Sequence, residues 1–77
     1  MENVVYMQGV KPKMVEQRYR NQRIVLQFDP NAPARLQWVW CAYVTHTYEF
    51  TGSADTIRNA ERRARQRIDT ALRLAEE

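Results

Sequence analysis

Few residues in this chain could do covalent or metal chemistry: one cysteine, Cys41, and one histidine, His46, among 77 residues. Nucleophilic catalysis needs a thiol or hydroxyl held beside a base. Cys41 and His46 stand five positions apart in a β-prone run, and an odd separation in a regular strand sends two side chains to opposite faces. They make no dyad. A zinc-type site needs three or four ligands, and no CxxC or HxxxH spacing supplies them. Two glycines are too few for a phosphate-cradling loop. Nine carboxylates are present, but no spacing pairs any two for acid–base work. The expectation is a protein that is not an enzyme, with no catalytic residue, no cofactor and no metal.

The cations are more informative. Net charge is +3, and Lys11, Lys13, Arg18, Arg20 and Arg23 against Glu16 give a local +4 between residues 11 and 23. Tyr19 sits between Arg18 and Arg20. Arginines around an aromatic ring suit single-stranded nucleic acid, whose bases stack while its phosphates are neutralised. Lysine and arginine also protect a sheet edge from unwanted pairing. From Ser53 onward six arginines meet five acids. Arg58, Arg62, Arg65 and Arg73 share a helix flank with Glu61, Asp69 and Glu76, and the Glu61–Arg65 and Asp69–Arg73 spacings are favourable ion pairs. Arg63 and Arg67 lie on the other flank with Thr70 and Leu74 and no neighbouring acid, which makes them candidates for an anionic partner.

The elements that must position these groups follow from periodicity. Ile57, Ala60, Ala64, Ile68, Ala71 and Ala75 recur at steps of 3, 4, 4, 3 and 4, one stripe of an α-helix over residues 53–76. Gly52 reads as a stop before it, Ser53 as its cap and Asp55 as an acid at the positive end of its dipole. Leu74 falls outside the stripe. Upstream the pattern is β. Residues 4–8 form a β-prone run, Gly9 and Pro12 bracket a turn, and residues 14–19 suit a strand or a short helical turn. Taken as a strand, residues 14–19 would form a hairpin with residues 4–8. Residues 23–28 alternate apolar and polar, and Asp29-Pro30-Asn31-Ala32-Pro33 ends them. In residues 36–51 the even positions are apolar in six of seven cases from Trp38 to Phe50. A two-residue hairpin at His46-Thr47 would mix the faces, so one continuous strand is expected, about 50 Å long and bent or bulged near Thr45.

The expected fold is α+β: a three- to four-stranded, mainly antiparallel sheet in β-β-β-α order, covered on one face by a single C-terminal helix. Residues 1–77 make a single domain, near the lower size limit for a self-sufficient core. The small alanine stripe lets the helix sit close, while Trp38 and Trp40 supply the volume. One cysteine, no apolar run approaching about 20 residues and no signal-peptide layout lead to an expectation of a cytoplasmic protein.

Over residues 38–75, strands closed by a helix after the corner Thr51-Gly52-Ser53 resemble the build of double-stranded-RNA-binding domains. Those domains end in a glycine corner and an alanine-rich helix that starts with phosphate-gripping lysines. Here the helix start reads Ser53-Ala54-Asp55-Thr56-Ile57-Arg58, so the resemblance is architectural and no phosphate-gripping residue carries over.

One helix leaves the opposite sheet face open, with Val39, Cys41, Tyr43 and Val25 on it. The leading expectation is a small interaction module, homodimeric or bound to a protein partner, using Val39 and Tyr43 with Arg63 and Arg67 as further partner-binding candidates. The alternative is a nucleic-acid-binding module using Lys11, Lys13, Arg18, Tyr19, Arg20 and Arg23. Neither a membrane surface nor a small-molecule substrate is implied.

Overall fold

The computed structural model of the chain describes residues 14–76. The strand expected at residues 4–8, the turn after it, Lys11 and Lys13 lie outside them. The described residues form a four-stranded sheet, β1 (Met14–Tyr19), β2 (Gln22–Phe28), β3 (Trp38–Val44) and β4 (Tyr48–Ala54), followed by one helix, α1 (Ile57–Glu76). The strands are antiparallel in the order β1-β2-β3-β4, and α1 packs on one face. The α+β fold with a single closing helix is as expected. No helix of the described residues is long and apolar enough to cross a membrane.

Two hairpins differ from the sequence reading. Residues 14–19 are a strand, and they turn back at Arg20-Asn21 to pair with β2, Tyr19 opposite Gln22. Arg20 and Asn21 have φ of 52° and 68°, the geometry of a tight type I′ turn. Residues 36–51 are not one strand. They reverse at Thr45, where a bend was expected, and Val44 pairs with Tyr48 across the loop Thr45-His46-Thr47. Three loop residues keep parity: even positions still face even positions, as in Ala42 opposite Phe50 and Trp40 opposite Gly52. The apolar alternation therefore runs unbroken through a chain reversal.

That loop is strained, since Thr45 and His46 have φ of 55° and 61°, and a β-branched residue rarely adopts such values. Hydrogen bonds hold it. The Thr47 amide donates to the Val44 carbonyl at 3.1 Å, and the Thr45 amide donates to Gln22 Oε1 at 2.8 Å. Gln22 Nε2 in turn donates to the Arg20 carbonyl, so one glutamine ties the two turns together. Between β2 and β3, Asp29 accepts from the Asn31 amide and from the Ala32 amide, the turn that Asp-Pro-Asn chemistry suggests.

The third correction concerns the helix start. Gly52 and Ser53 belong to β4, and α1 begins at Ile57. The cap is Thr56, whose Oγ1 accepts from the Asn59 amide, while Asn59 Nδ2 donates to Asp55 at 2.7 Å. That bond, ahead of the first amides and Arg63, holds the Asp55 carboxyl below its ordinary pKa. Gly52 marks close approach rather than a stop, because the Trp40 indole lies against it.

The core lies between sheet and helix. Ile24, Leu26, Trp40, Ala42, Val44 and Ala54 meet Ala60, Ala64 and Ile68, with Trp38, Phe50, Ala71 and Leu72 packed around them. Ala60, Ala64, Ile68 and Ala71 of the expected stripe pack against the sheet, whereas its two ends, Ile57 and Ala75, are exposed, as is Leu74.

Candidate interaction surface

The face of the sheet away from α1 is built from odd positions of β3 and β4 and their register partners. Three cross-strand rows follow from the pairing. The first is Arg18, Arg23, Tyr43 and Glu49; the second Glu16, Val25, Cys41 and Thr51; the third Met14, Gln27, Val39 and Ser53. Val25, Val39, Cys41 and Tyr43 make a half-buried apolar centre, and charged residues stand at its β1 and β4 margins. Two cations and two acids make the face neutral in sum.

The charges are partly organised within the chain. Arg23 Nε donates to Glu16 at 2.7 Å, and its guanidinium lies 5.1 Å from the Tyr43 ring centre, packing that ring onto the surface. Arg18 stands directly opposite Arg23, a like-charge pair, and reaches the Asn21 carbonyl at 3.3 Å. No carboxylate of the described residues forms an ion pair with Arg18. Cys41 Sγ lies 3.7 Å from Thr51 Oγ1 within its row.

The predicted site residues separate into distinct regions. Val39 and Tyr43 share the open face. Arg63 and Arg67 are on the other layer, along the β4 side of α1, where Arg63 Nη1 donates to the Ser53 carbonyl and Arg67 lies 4.1 Å from the centre of the Phe50 ring. Within the basic stretch, Arg18 and Arg23 face the open side. Tyr19 faces the helix side, where its hydroxyl donates to Asp69 at 3.1 Å and Arg65 stands 5.3 Å from its ring centre. Arg20 Nη1 also bonds Asp69, at 2.9 Å. Arg18, Tyr19 and Arg20 thus do not form one platform: alternation along a strand sends neighbours to opposite faces. Glu49 and Thr51 share the odd parity of Val39, Cys41 and Tyr43, whereas Glu16 joins the open face through register, a placement the sequence pattern does not show.

Cys41 sits in the middle of the open face and His46 at the tip of the β3–β4 loop. Among the described residues no three histidine, cysteine or carboxylate groups cluster to hold a metal.

Tyr19 gives this end of the molecule a pH dependence. Its hydrogen bond to Asp69, its partial burial and the Asp69 charge raise its pKa above the ordinary value. The fold thus favours the protonated phenol. The resulting stability is complete below about pH 10, the unfolded value, and is lost as pH rises through the higher folded value. Tyr43 is raised in the same direction, chiefly by Cys41 and then by partial burial. Tyr19→Phe should therefore soften the alkaline loss of stability without removing it. Urea midpoints measured from about pH 8 to 11 check this, and an unchanged alkaline slope would assign the whole effect elsewhere.

Comparison with known protein families, curated proteins and solved structures finds no match for this chain.

Proposed function

We propose that this chain is a non-catalytic interaction module that works as a homodimer through the open face of its sheet. The observation that carries the reading is the self-complementarity of the cross-strand rows. A two-fold axis parallel to the strands lays β1 over β4 of a second copy and β2 over its β3. Arg18 then meets Glu49, Arg23 meets Tyr43, Val25 meets Cys41, and Gln27 meets Val39. Apolar centre lies on apolar centre, and the unpaired arginine finds an acid. Aligned sheets of this kind cross at about 30°, which leaves these rows in reach. Burial of a second surface also suits a domain with so small a core.

The interface is modest. Four strands about 4.8 Å apart and seven residues at about 3.3 Å give a face of about 20 Å each way, small for a stable complex. Association should therefore be concentration-dependent, with a dissociation constant in the micromolar range. Sedimentation equilibrium over a concentration series tests it. Arg18→Glu and Glu49→Arg should each weaken the dimer about tenfold, and the double exchange should restore it. A monomer at every concentration, or a double exchange no better than the singles, would sink the proposal.

The directly opposed Arg18 and Arg23 support a second reading, nucleic-acid binding by the basic stretch. Its mark is binding to labelled single- or double-stranded nucleic acid with a log–log salt slope of about −3 or steeper. The neutral sum of the open face and the occupied ring of Tyr19 favour the protein interface.

A further inference from the structure

On the helix side, the N-terminal half of β4 and the C-terminal half of α1 leave a groove of about 300 Å³. Phe50 and Ala71 line it together with Tyr48 and Leu74, two large side chains that are each 60% exposed. Arg67 lies across its inner end over the Phe50 ring. No carboxylate among the described residues pairs with Arg67. The groove is thus apolar with a cation at one end.

The second observation is the strand that borders it. Among the described residues β4 is the last strand of the sheet, and its pairing with β3 runs without a bulge from Val44–Tyr48 to Trp38–Ala54. It contains no proline, lysine or arginine, the residues that normally blunt a free edge. The Ser53 carbonyl accepts from the Arg63 side chain, so it points away from β3. The alternation of an antiparallel ladder then turns the backbone groups of Thr51 and Glu49 outward as well. Arg63 covers the Ser53 end and leaves the other two residues beside the groove.

We propose that the β4 edge and this groove form a docking site for an extended peptide of another protein, added as a fifth strand. Backbone hydrogen bonds to Glu49 and Thr51 hold it, and its side chains on the helix side give specificity. Those side chains sit at every second position. An apolar residue enters between Tyr48 and Leu74, and an acid two positions away meets Arg67. The partner is therefore a segment with an apolar and an acidic residue separated by one position. This surface is separate from the open face, so the two proposals stand or fall independently.

The probes are two blocked heptapeptides, Thr-Leu-Thr-Glu-Thr-Leu-Thr, which carries the spacing in either direction, and its counterpart with lysine in place of glutamate. Each is titrated into the isotope-labelled protein while backbone amide signals are followed. The acidic peptide should shift the amides of Glu49, Phe50 and Thr51 and bind about tenfold tighter than the basic one, a fold-change typical of one well-placed charge pair. Arg67→Glu, on the exposed side of α1, should reverse the preference. Binding of neither peptide at millimolar concentration would overturn the proposal. So would equal affinity for the two, shifts confined to the open face, or concentration-dependent shifts at β4 without peptide, the sign of two copies pairing edge to edge.

Discussion

Gly52→Val is expected to abolish cooperative folding, and Gly52→Ala to remove about 2–3 kcal/mol of stability. A Cβ at this position would stand 2.6 Å from Trp40 Cζ2, 2.7 Å from Cε2 and 2.8 Å from Nε1. Such distances force one group to move. The indole has nowhere to go: Trp40 is 8% exposed and clustered with Leu26, Ala60 and Ala64, which are fully buried. The backbone of Gly52 needs no left-handed conformation, so the cost comes from space alone. A chain of 77 residues has about 4–12 kcal/mol of total stability, and one methyl would remove a large share of it. Urea denaturation followed by tryptophan fluorescence reads the loss. Trp40→Leu, destabilising in itself, should shrink the additional cost of Gly52→Ala, a coupling of about 1 kcal/mol or more between neighbours. An equal cost in the two backgrounds would show that the glycine is not there to admit the indole.

The same glycine shows why the fold was only partly legible in the sequence. A glycine followed by serine before a helical stripe suits a strand end and a cap, and local chemistry offers no sign of the tryptophan twelve residues earlier. Close approach is a tertiary fact. The β3–β4 reversal was hidden for a different reason. A two-residue loop would have disturbed the alternation, whereas Thr45-His46-Thr47 preserves it and carries no glycine, asparagine or aspartate to announce positive φ. Gln22, far away in sequence, helps to hold that turn. The Arg20-Asn21 turn carries an asparagine signal, but in sequence it stands inside a run of cations with no glycine beside it. The helix and its buried face were legible because a 3.6-residue stripe needs no knowledge of the partner surface.

For the candidate surface, parity was enough to put Val39, Cys41 and Tyr43 together, and the structure keeps them together. Parity within one strand cannot say which residues of other strands stand beside them. Register adds Arg18 and Arg23 beside Glu49 and completes the charge pattern behind the proposed self-association. Arg63 and Arg67 could be assigned a helix flank from a wheel, but a wheel does not say which sheet edge that flank borders. They border β4 on the opposite side, where Arg67 lines the groove and Arg63 bonds the Ser53 carbonyl. The basic stretch does not make one continuous platform, for a simple reason. Arg18, Tyr19 and Arg20 are adjacent in sequence, and strand geometry followed by a turn divides them between a face, the helix contact and Asp69.

Ile68→Ala should cost about 2–5 kcal/mol, while Leu74→Ala should change stability by less than about 0.5 kcal/mol. Ile68 is fully buried, and the other fully buried residues of α1 are the alanines at 60 and 64. Ile68 is therefore the large side chain that fastens a closely seated helix onto Ile24, Leu26 and Val44 in the common cluster. Its truncation leaves a cavity that a stripe of small residues cannot refill by repacking. Alanine is the better helix former by a few tenths of a kcal/mol, so the gain in propensity offsets little of the loss. Urea denaturation measures the two variants. A cost for Ile68→Ala below about 1 kcal/mol would mean that the helix is not fastened through this stripe. The variant also separates the two sheet faces. Ile68 is on the helix side, so the folded fraction of Ile68→Ala should dimerise with unchanged affinity if self-association uses the open face. A dimer lost together with the helix packing would instead place the second copy on the helix side.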